Sequence, residues 1–488
     1  MKKKHLLSLL FSAAAAICFA LFFYTVNTPL GASIGSDNAM YLTMGTALSH
    51  GFLPYRNIFD HKGPLLFFLQ WLPQAFTGGY STIAVFCQEV LVLFAALRLL
   101  AAIARETDAP EIPAQLIYLA LFCALPDGGN LSEEYTAVPT LLGLLAALRC
   151  FRSGVPEKGL RGNAFVLGLC TCAAFLTRAN NMLPLAGLTA ALTLGLLMMR
   201  RFPALLACAM GFAGGFLILL VPVCLWFFAN GILGDAFYGS IIHNMLYAAG
   251  SGNGSGRIYH LLHEDYGHIA LFFGFLAAAG ALVLLRRKNG LLALGLLGAA
   301  LCGGYAAFIS QKFYIHYLTI SLPAAAVGSC LVCGALPKGK PRTGVTALAA
   351  VFCLIWLGVS GVSANRQRLA DSADLPQFTE DANSLYSLVP EEDRSRFMAY
   401  RVEPRWYVVT KALPCMRFYF LQEILADADP AVMDEIVETL QTDPPLWLVI
   451  FHDRPFSPPY DSRVQKIFEE RYAFVAAAGD YQLLKLQE

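Results

Sequence analysis

The chain has 488 residues, 57% hydrophobic and 14% charged, with a mean hydropathy of +0.56. Soluble domains carry roughly 25% charged residues, so the composition excludes an ordinary soluble enzyme and points to a polytopic α-helical membrane protein. The formal net charge of +1 conceals an asymmetry: residues 364–488 carry 13 Lys+Arg against 21 Asp+Glu, and the rest of the chain is basic.

The first stretch, MKKKHLLSLLFSAAAAICFALFFYTV, has the basic start and apolar core of a signal peptide. Its apolar run continues to Val26 without a small-x-small cleavage site, so it reads as a first transmembrane helix. Apolar stretches long enough or nearly long enough to span a bilayer follow. Taken with the first, they are 6–26, 80–104, 112–126, 135–151, 162–177, 182–199, 203–228, 268–285, 290–309, 316–335 and 343–363. That gives about eleven transmembrane helices in a domain covering 1–363. The first outer loop, 27–79, holds an amphipathic helix after Asp37 and a short proline-bounded apolar helix at 64–76, read as interfacial or re-entrant.

Alternate short connections carry Lys2 to Lys4; Arg98 and Arg105; Arg149, Arg152, Lys158 and Arg161; Arg200 and Arg201; Arg286 to Lys288; and Lys338, Lys340 and Arg342. The opposite set carries Arg56, Lys62, Arg178, Arg257 and Lys312. Basic residues concentrate in cytoplasmic loops, so the N-terminus is expected inside and the tail outside. The tail, 364–488, reads as an extracytoplasmic α/β domain. FMAY, LWLVIF and DYQLLKLQ have strand patterns, and DPAVMDEIVETLQ has helical periodicity behind a capping Asp.

Most of the thirteen cysteines lie in apolar runs, and their spacing does not repeat like a zinc site. Cys330-x-x-Cys333 reads as helix packing. HLLHEDYGH (260–268) is not His-Glu-x-x-His, because His263 and His268 are one residue too far apart. Glu89, inside the second apolar helix, reads as a buried hydrogen-bond partner.

With this topology the polar residues of the membrane part gather on the outer face. Asp37, His61 and Lys62 lie in the first outer loop, and Glu133 and Glu134 at the mouth of the fourth helix. Arg178 and Asn180 sit in a tight turn, and Lys312 and His316 precede the tenth helix. Ionisable groups at membrane depth are costly and mark substrate paths. Each has a plainer reading: Asp37 as a helix cap, the glutamates as acids favoured by a helix N-terminus, and Lys312 and Arg178 as solvated loop residues.

The run SDNAMYLTMGTALSHGFLPYRNIFDHKGPLLFF resembles the first outer loop of the GT-C superfamily of polytopic membrane glycosyltransferases. The likeness is to bacterial protein O-mannosyltransferase-like and aminoarabinose-transferase-like enzymes. Asp37, Tyr41, Gly51, Lys62 and Pro64 stand at the motif positions, while Asn38 replaces the second acid common in that family. NLSEEY resembles the family's second acidic motif, and the His316-Tyr317 pair before a proline-ended helix also recurs there.

The resemblance implies a glycosyltransferase that takes a sugar from a polyprenyl-phosphate donor and passes it to an acceptor hydroxyl outside the membrane, with inversion. It makes Asp37 the general base, with Glu134 or Glu133 assisting. Lys62, Arg178, His316 and Lys312 would bind the donor phosphate. Tyr41, His61 and Asn180 would position substrate. The acceptor class, protein, lipid or polysaccharide, stays open. No cofactor and no nucleic-acid partner is expected, although a carboxylate pair would suit a divalent cation. The competing expectations are a transporter or flippase of lipid-linked sugars, and a non-catalytic membrane binding protein with this fold.

Overall fold

The computed structural model describes residues 2–31, 33–125, 128–152, 159–249, 266–309, 314–451 and 461–487. In chain order the first helices are α1 (Lys2–Phe23), α2 (Ser36–Ser49), α3 (Pro64–Ala75), α4 (Thr82–Glu106) and α5 (Glu111–Phe122). They continue with α6 (Ser132–Cys150), α7 (Leu160–Thr177), α8 (Leu183–Met198) and α9 (Phe202–Ala229). Two compact units emerge. The first comprises Met1–Thr28, Phe86–Trp226 and Gly252–Arg366; the second comprises Pro29–Val85, Phe227–Ser251 and Gln367–Glu488.

The first unit is helical. Among the described residues of the whole chain, eight helices are long and apolar enough to cross a membrane. Helices occupy all eleven stretches expected from the sequence, but not all qualify by length and apolarity. The Glu111–Phe122 helix has 12 residues and Leu322–Ala335 has 14, short of the roughly 20 that a bilayer requires. Helix α6 carries Glu133, Glu134 and Arg149. The chain is a multi-pass membrane protein, and eight of the eleven expected crossings meet those criteria.

Small residues let these helices approach, because apolar lipid supplies little drive for association and close backbone packing must do so. A Cβ on Gly187 of α8 would lie 2.3 Å from the carbonyl oxygen of Gly298, in the helix Gly290–Phe308. Leu188 and Leu192 of α8 pack over Gly295, and Leu291 packs over Gly195 of α8, along the same seam.

The second unit joins the first outer loop to the tail. Helix α2 is buried along most of its length and crosses α3 closely, since a Cβ on Gly45 would meet the Gln70 carbonyl oxygen at 2.2 Å. The short apolar helix expected at 64–76 is α3, with Pro64 in its first turn. The Tyr419 hydroxyl donates to the Met40 carbonyl at 3.0 Å and ties α2 to the tail.

The tail forms a four-stranded sheet from β1 (Phe397–Ala399), β2 (Trp447–Phe451), β3 (Tyr472–Ala478) and β4 (Tyr481–Leu486), ordered β1-β2-β4-β3. The β1–β2 pair is parallel, with Phe397 opposite Trp447; β2–β4 and β3–β4 are antiparallel. Strands β1, β2 and β4 match FMAY, LWLVIF and DYQLLKLQ. Strand β3, YAFVAAA, is an alanine-rich edge with one buried position of seven, and its unbroken run of apolar residues has no alternation to mark a strand. Helix Ala431–Thr442 begins as expected, but Pro430 is its N-cap residue; Asp429 accepts the Ala431 amide at 3.1 Å.

Candidate functional site

Two polar clusters, one in each unit, hold six of the ten residues singled out from the sequence: Tyr41, His61 and Lys62 in one, and Glu133, Arg178 and His316 in the other. In the second unit, Gly35 is the N-cap of α2, so Asp37 is not the cap but lies half-buried in the first turn. It is close enough to Tyr419 to act on it electrostatically. Tyr41, one turn further along, is fully buried, as is Asn38.

Beyond α2 the chain turns at Gly51 and runs to the N-terminus of α3 through an irregular segment of turns and bends that buries three ionisable residues in succession. Asp60, His61 and Lys62 are 3%, 6% and 7% exposed. The Asp60 Oδ1 accepts the His61 backbone amide at 2.7 Å, lies 3.2 Å from His61 Nδ1, and receives Lys62 Nζ at 3.5 Å. Lys62 Nζ is 5.9 Å from the centre of the Tyr41 ring. Burial alone would raise the Asp60 carboxyl, but the charges of Lys62 and His61 and the hydrogen bonds from His61 outweigh it. The carboxyl is held well below its usual range and is ionised at neutral pH.

The backbone of this segment is tethered on every side. Tyr55, buried with a positive φ, donates its hydroxyl to the Lys62 carbonyl at 2.7 Å. The Phe59 amide donates to the Arg417 carbonyl at 2.9 Å. The Asn244 side-chain amide donates to the His61 carbonyl, and the His61 ring stacks on Tyr247 at 5.2 Å. Asn244 and Tyr247 lie on the helix His243–Ala249, directly after a π-helical turn at Tyr238–Ile242. Such turns are uncommon and frequent at functional sites. Asp60 was not among the residues chosen from the sequence; its adjacency to His61 and Lys62 was the available signal.

In the first unit, Glu133 and Arg178 are 1% and 5% exposed and form an ion pair, with Arg178 Nη1 donating to Glu133 Oε1 at 2.5 Å. The other arm of the guanidinium donates to the Tyr317 hydroxyl at 3.0 Å, and the guanidinium carbon sits 4.5 Å from the Tyr317 ring centre. Ser132 Oγ donates to the second oxygen of Glu133 at 2.8 Å. His316 packs edge-on against Tyr317 at 4.7 Å and lies within electrostatic reach of Glu133. Glu133, Arg178 and His316 therefore belong together, joined by Tyr317.

Glu134 has different surroundings. It is half-buried, hydrogen-bonds Tyr24 and acts electrostatically on Glu89. Adjacent positions on a helix point about 100° apart, which explains how neighbouring acids serve two clusters. Glu89 is buried and accepts from Asn27 at 3.3 Å, the hydrogen-bonded role expected of it. Asn180 is half-buried and donates to the Ala306 carbonyl at 3.4 Å, while the neighbouring Asn181 donates to Thr136 at 3.1 Å. Lys312 and residues 260–265 of HLLHEDYGH lie outside the described residues. Among the described residues, no group of three or more His, Cys, Asp or Glu is arranged to hold a metal ion.

The fold is similar to those of two kinds of solved membrane protein. The chain is similar to ArnT from Cupriavidus metallidurans in two crystal structures, each with a TM-score of 0.60 and 13% identity. The structure bound to undecaprenyl phosphate covers 98% of this chain and 97% of its own. The apo structure covers 97% of each. The chain is also similar to the archaeal oligosaccharyltransferase AglB from Archaeoglobus fulgidus, solved with an inhibitory peptide and a dolichol-phosphate. That match has a TM-score of 0.53 and 12% identity, and covers 92% of this chain and 69% of AglB. No protein-family model and no curated protein sequence matches the chain.

Proposed function

We propose that this protein is a glycosyltransferase that moves a sugar from a polyprenyl-phosphate donor to an acceptor hydroxyl on the outer face of the membrane. The observation that carries this reading is the fold likeness to ArnT, which extends over nearly the whole of both chains and includes a structure bound to undecaprenyl phosphate. The tail domain is part of that likeness. The positive-inside pattern supports a cytoplasmic N-terminus and an external tail.

In this reading the acceptor oxygen attacks the anomeric carbon as Asp37 takes its proton. The bond from that carbon to the phosphate oxygen breaks, and its electron pair leaves with the polyprenyl phosphate. One displacement inverts the configuration. A general base of this kind contributes about 10²- to 10⁴-fold. The departing phosphate gains charge, and Lys62, a buried cation outside the spanning helices, is suited to stabilise it. Arg178, His316 and Lys312 are secondary phosphate ligands. Tyr41, His61 and Asn180 position substrate. The pairing of Glu133 with Arg178 favours Glu133 as the residue that orients the guanidinium, and leaves Glu134 as the second acid near the acceptor.

The test is sugar transfer in membranes with a panel of polyprenyl-phosphate sugars, comparing the wild type with Asp37→Asn at matched expression. Turnover by the wild type and its loss by 10²-fold or more in the variant, with the donor still bound, is the expected result. An unimpaired Asp37→Asn enzyme would remove Asp37 from the role of base. A wild type that turns over none of the donors would refute the reading.

A further inference from the structure

We propose that Asp60 is a positioning residue for Lys62, holding its ammonium group at one place in the buried loop so that a donor phosphate meets a fixed cation. This rests on the reading of Lys62 as a phosphate ligand. Lysine carries its charge on a flexible four-carbon stem and has no planar fork to orient it. Lys62 nevertheless lies almost wholly out of solvent, and its charge faces Asp60 Oδ1 at 3.5 Å.

Asp60 is equipped for that task because it and its neighbours are held by several hydrogen bonds. Its Oδ1 is pinned by the His61 amide, and the backbone on either side is held by Arg417, Asn244 and Tyr55. Its Oδ2 is buried and has no hydrogen-bond partner among the described residues. A buried carboxylate oxygen without a partner is costly. The charge of the carboxylate is met here by Lys62 and His61. The 3.5 Å separation is at the outer limit of a hydrogen bond. An ammonium group has three N–H donors, so it retains capacity for phosphate oxygens while it stays anchored to Asp60.

A carboxylate beside a phosphate-binding lysine opposes the ground-state binding of an anion. If Asp60 only neutralised a buried charge, its removal would tighten phosphate binding and leave catalysis intact. Positioning has the opposite signature: a displacement of the cation by about 1 Å is worth on the order of 10²-fold in rate, with little change in affinity.

The experiment uses full-length protein in detergent micelles: wild type, Asp60→Asn, Asp60→Glu, Lys62→Gln and the Asp60→Asn/Lys62→Gln pair. With the donor found active for the wild type, Asp60→Asn is expected to lower kcat by about 10- to 100-fold and to leave KM for the donor within about threefold. The double variant is expected to be no slower than Lys62→Gln alone, because a residue that acts through Lys62 has nothing to act on once the lysine is gone. Asp60→Asn at wild-type kcat, or losses that multiply in the double variant, would overturn the proposal. Should Asp60→Asn not fold, Asp60→Glu carries the test: its charge is kept but moved by one methylene, so a reduced kcat supports positioning and a wild-type kcat refutes it. A wild type without turnover is a failure of the functional reading, and undecaprenyl phosphate binding then decides the inference. Weakened binding in Lys62→Gln, unchanged by adding Asp60→Asn, supports it. A wild type that binds no undecaprenyl phosphate, or additive effects on binding, overturns it.

Discussion

Arg178→Ala removes one half of an ion pair that water barely reaches. The guanidinium is 5% exposed and its partner Glu133 is 1% exposed, with Nη1 at 2.5 Å from Oε1. Losing one member of such a pair strands the other charge in a poorly solvated site, at a cost of about 3–5 kcal/mol. Here Ser132 still donates to Glu133 and His316 still lies nearby, so the lower end of that range applies. The stacking on Tyr317 is lost as well, worth roughly 0.5–1 kcal/mol or more when desolvated. The expected cost is therefore about 3–4 kcal/mol. The readout is the apparent melting temperature of purified protein in detergent, which should fall by several degrees. The decisive comparison is Arg178→Gln with Glu133→Gln in one chain, which leaves no buried net charge. That pair should melt above Arg178→Ala, because a coupled pair is not additive. An Arg178→Ala protein that melts with the wild type, or a double variant that loses the sum of both single losses, would refute the reasoning.

His243 is buried and presents Nε2 to the Leu425 carbonyl at 3.3 Å. Burial lowers its proton affinity below the ordinary imidazole value, against opposing contributions from the Leu425 hydrogen bond, Asp429 and Asp60. A depressed folded value means that the unfolded chain binds the proton first as the pH falls. The contribution of His243 is therefore complete above the ordinary value of about 6.5, and is lost as the pH drops through it toward the folded value. His243→Gln should flatten the fall in melting temperature between pH 7.5 and pH 5; an unchanged slope would count against this. Gly45→Ala places a Cβ where the Gln70 carbonyl oxygen stands 2.2 Å away, so it should cost about 1–3 kcal/mol by overpacking. Because α2 carries Asp37, transfer activity should fall too. Gly304→Ala, whose Cβ meets nothing within 4 Å, should be neutral or slightly stabilising by the same melting assay.

Much of the architecture was legible in the sequence because hydropathy and turn chemistry are local properties. A run of about 20 apolar residues makes a helix that buries its own backbone polar groups, whatever surrounds it. The helices near 6–26, 80–104, 203–228 and 268–285 follow from that, the short helix from Pro64 and the apolar run behind it, and strands β1, β2 and β4 from short apolar runs. Strand β3 escaped because an alanine-rich edge lacks the alternation that a half-buried strand shows. The count of crossings was less secure where polar residues shorten the apolar run, as in α6.

The residue types suited to a site were also visible: the acid leading α2, the glutamates at the start of α6, Lys62 and Arg178. Their partnerships were not. Glu133 and Arg178 are 45 residues apart and meet only through helix packing, and the neighbouring Glu134 turns to Tyr24 instead. Asp60 was not singled out by the sequence, and its burial beside Lys62 is set by Tyr55 a few residues away and by Asn244 from elsewhere in the chain. The sequence by itself determined that this chain is a multi-pass helical membrane protein with an α/β tail, because those properties reside in short stretches. The tertiary structure decided which charges are paired and how deeply each is buried, because desolvation and distance depend on residues that the sequence leaves far apart.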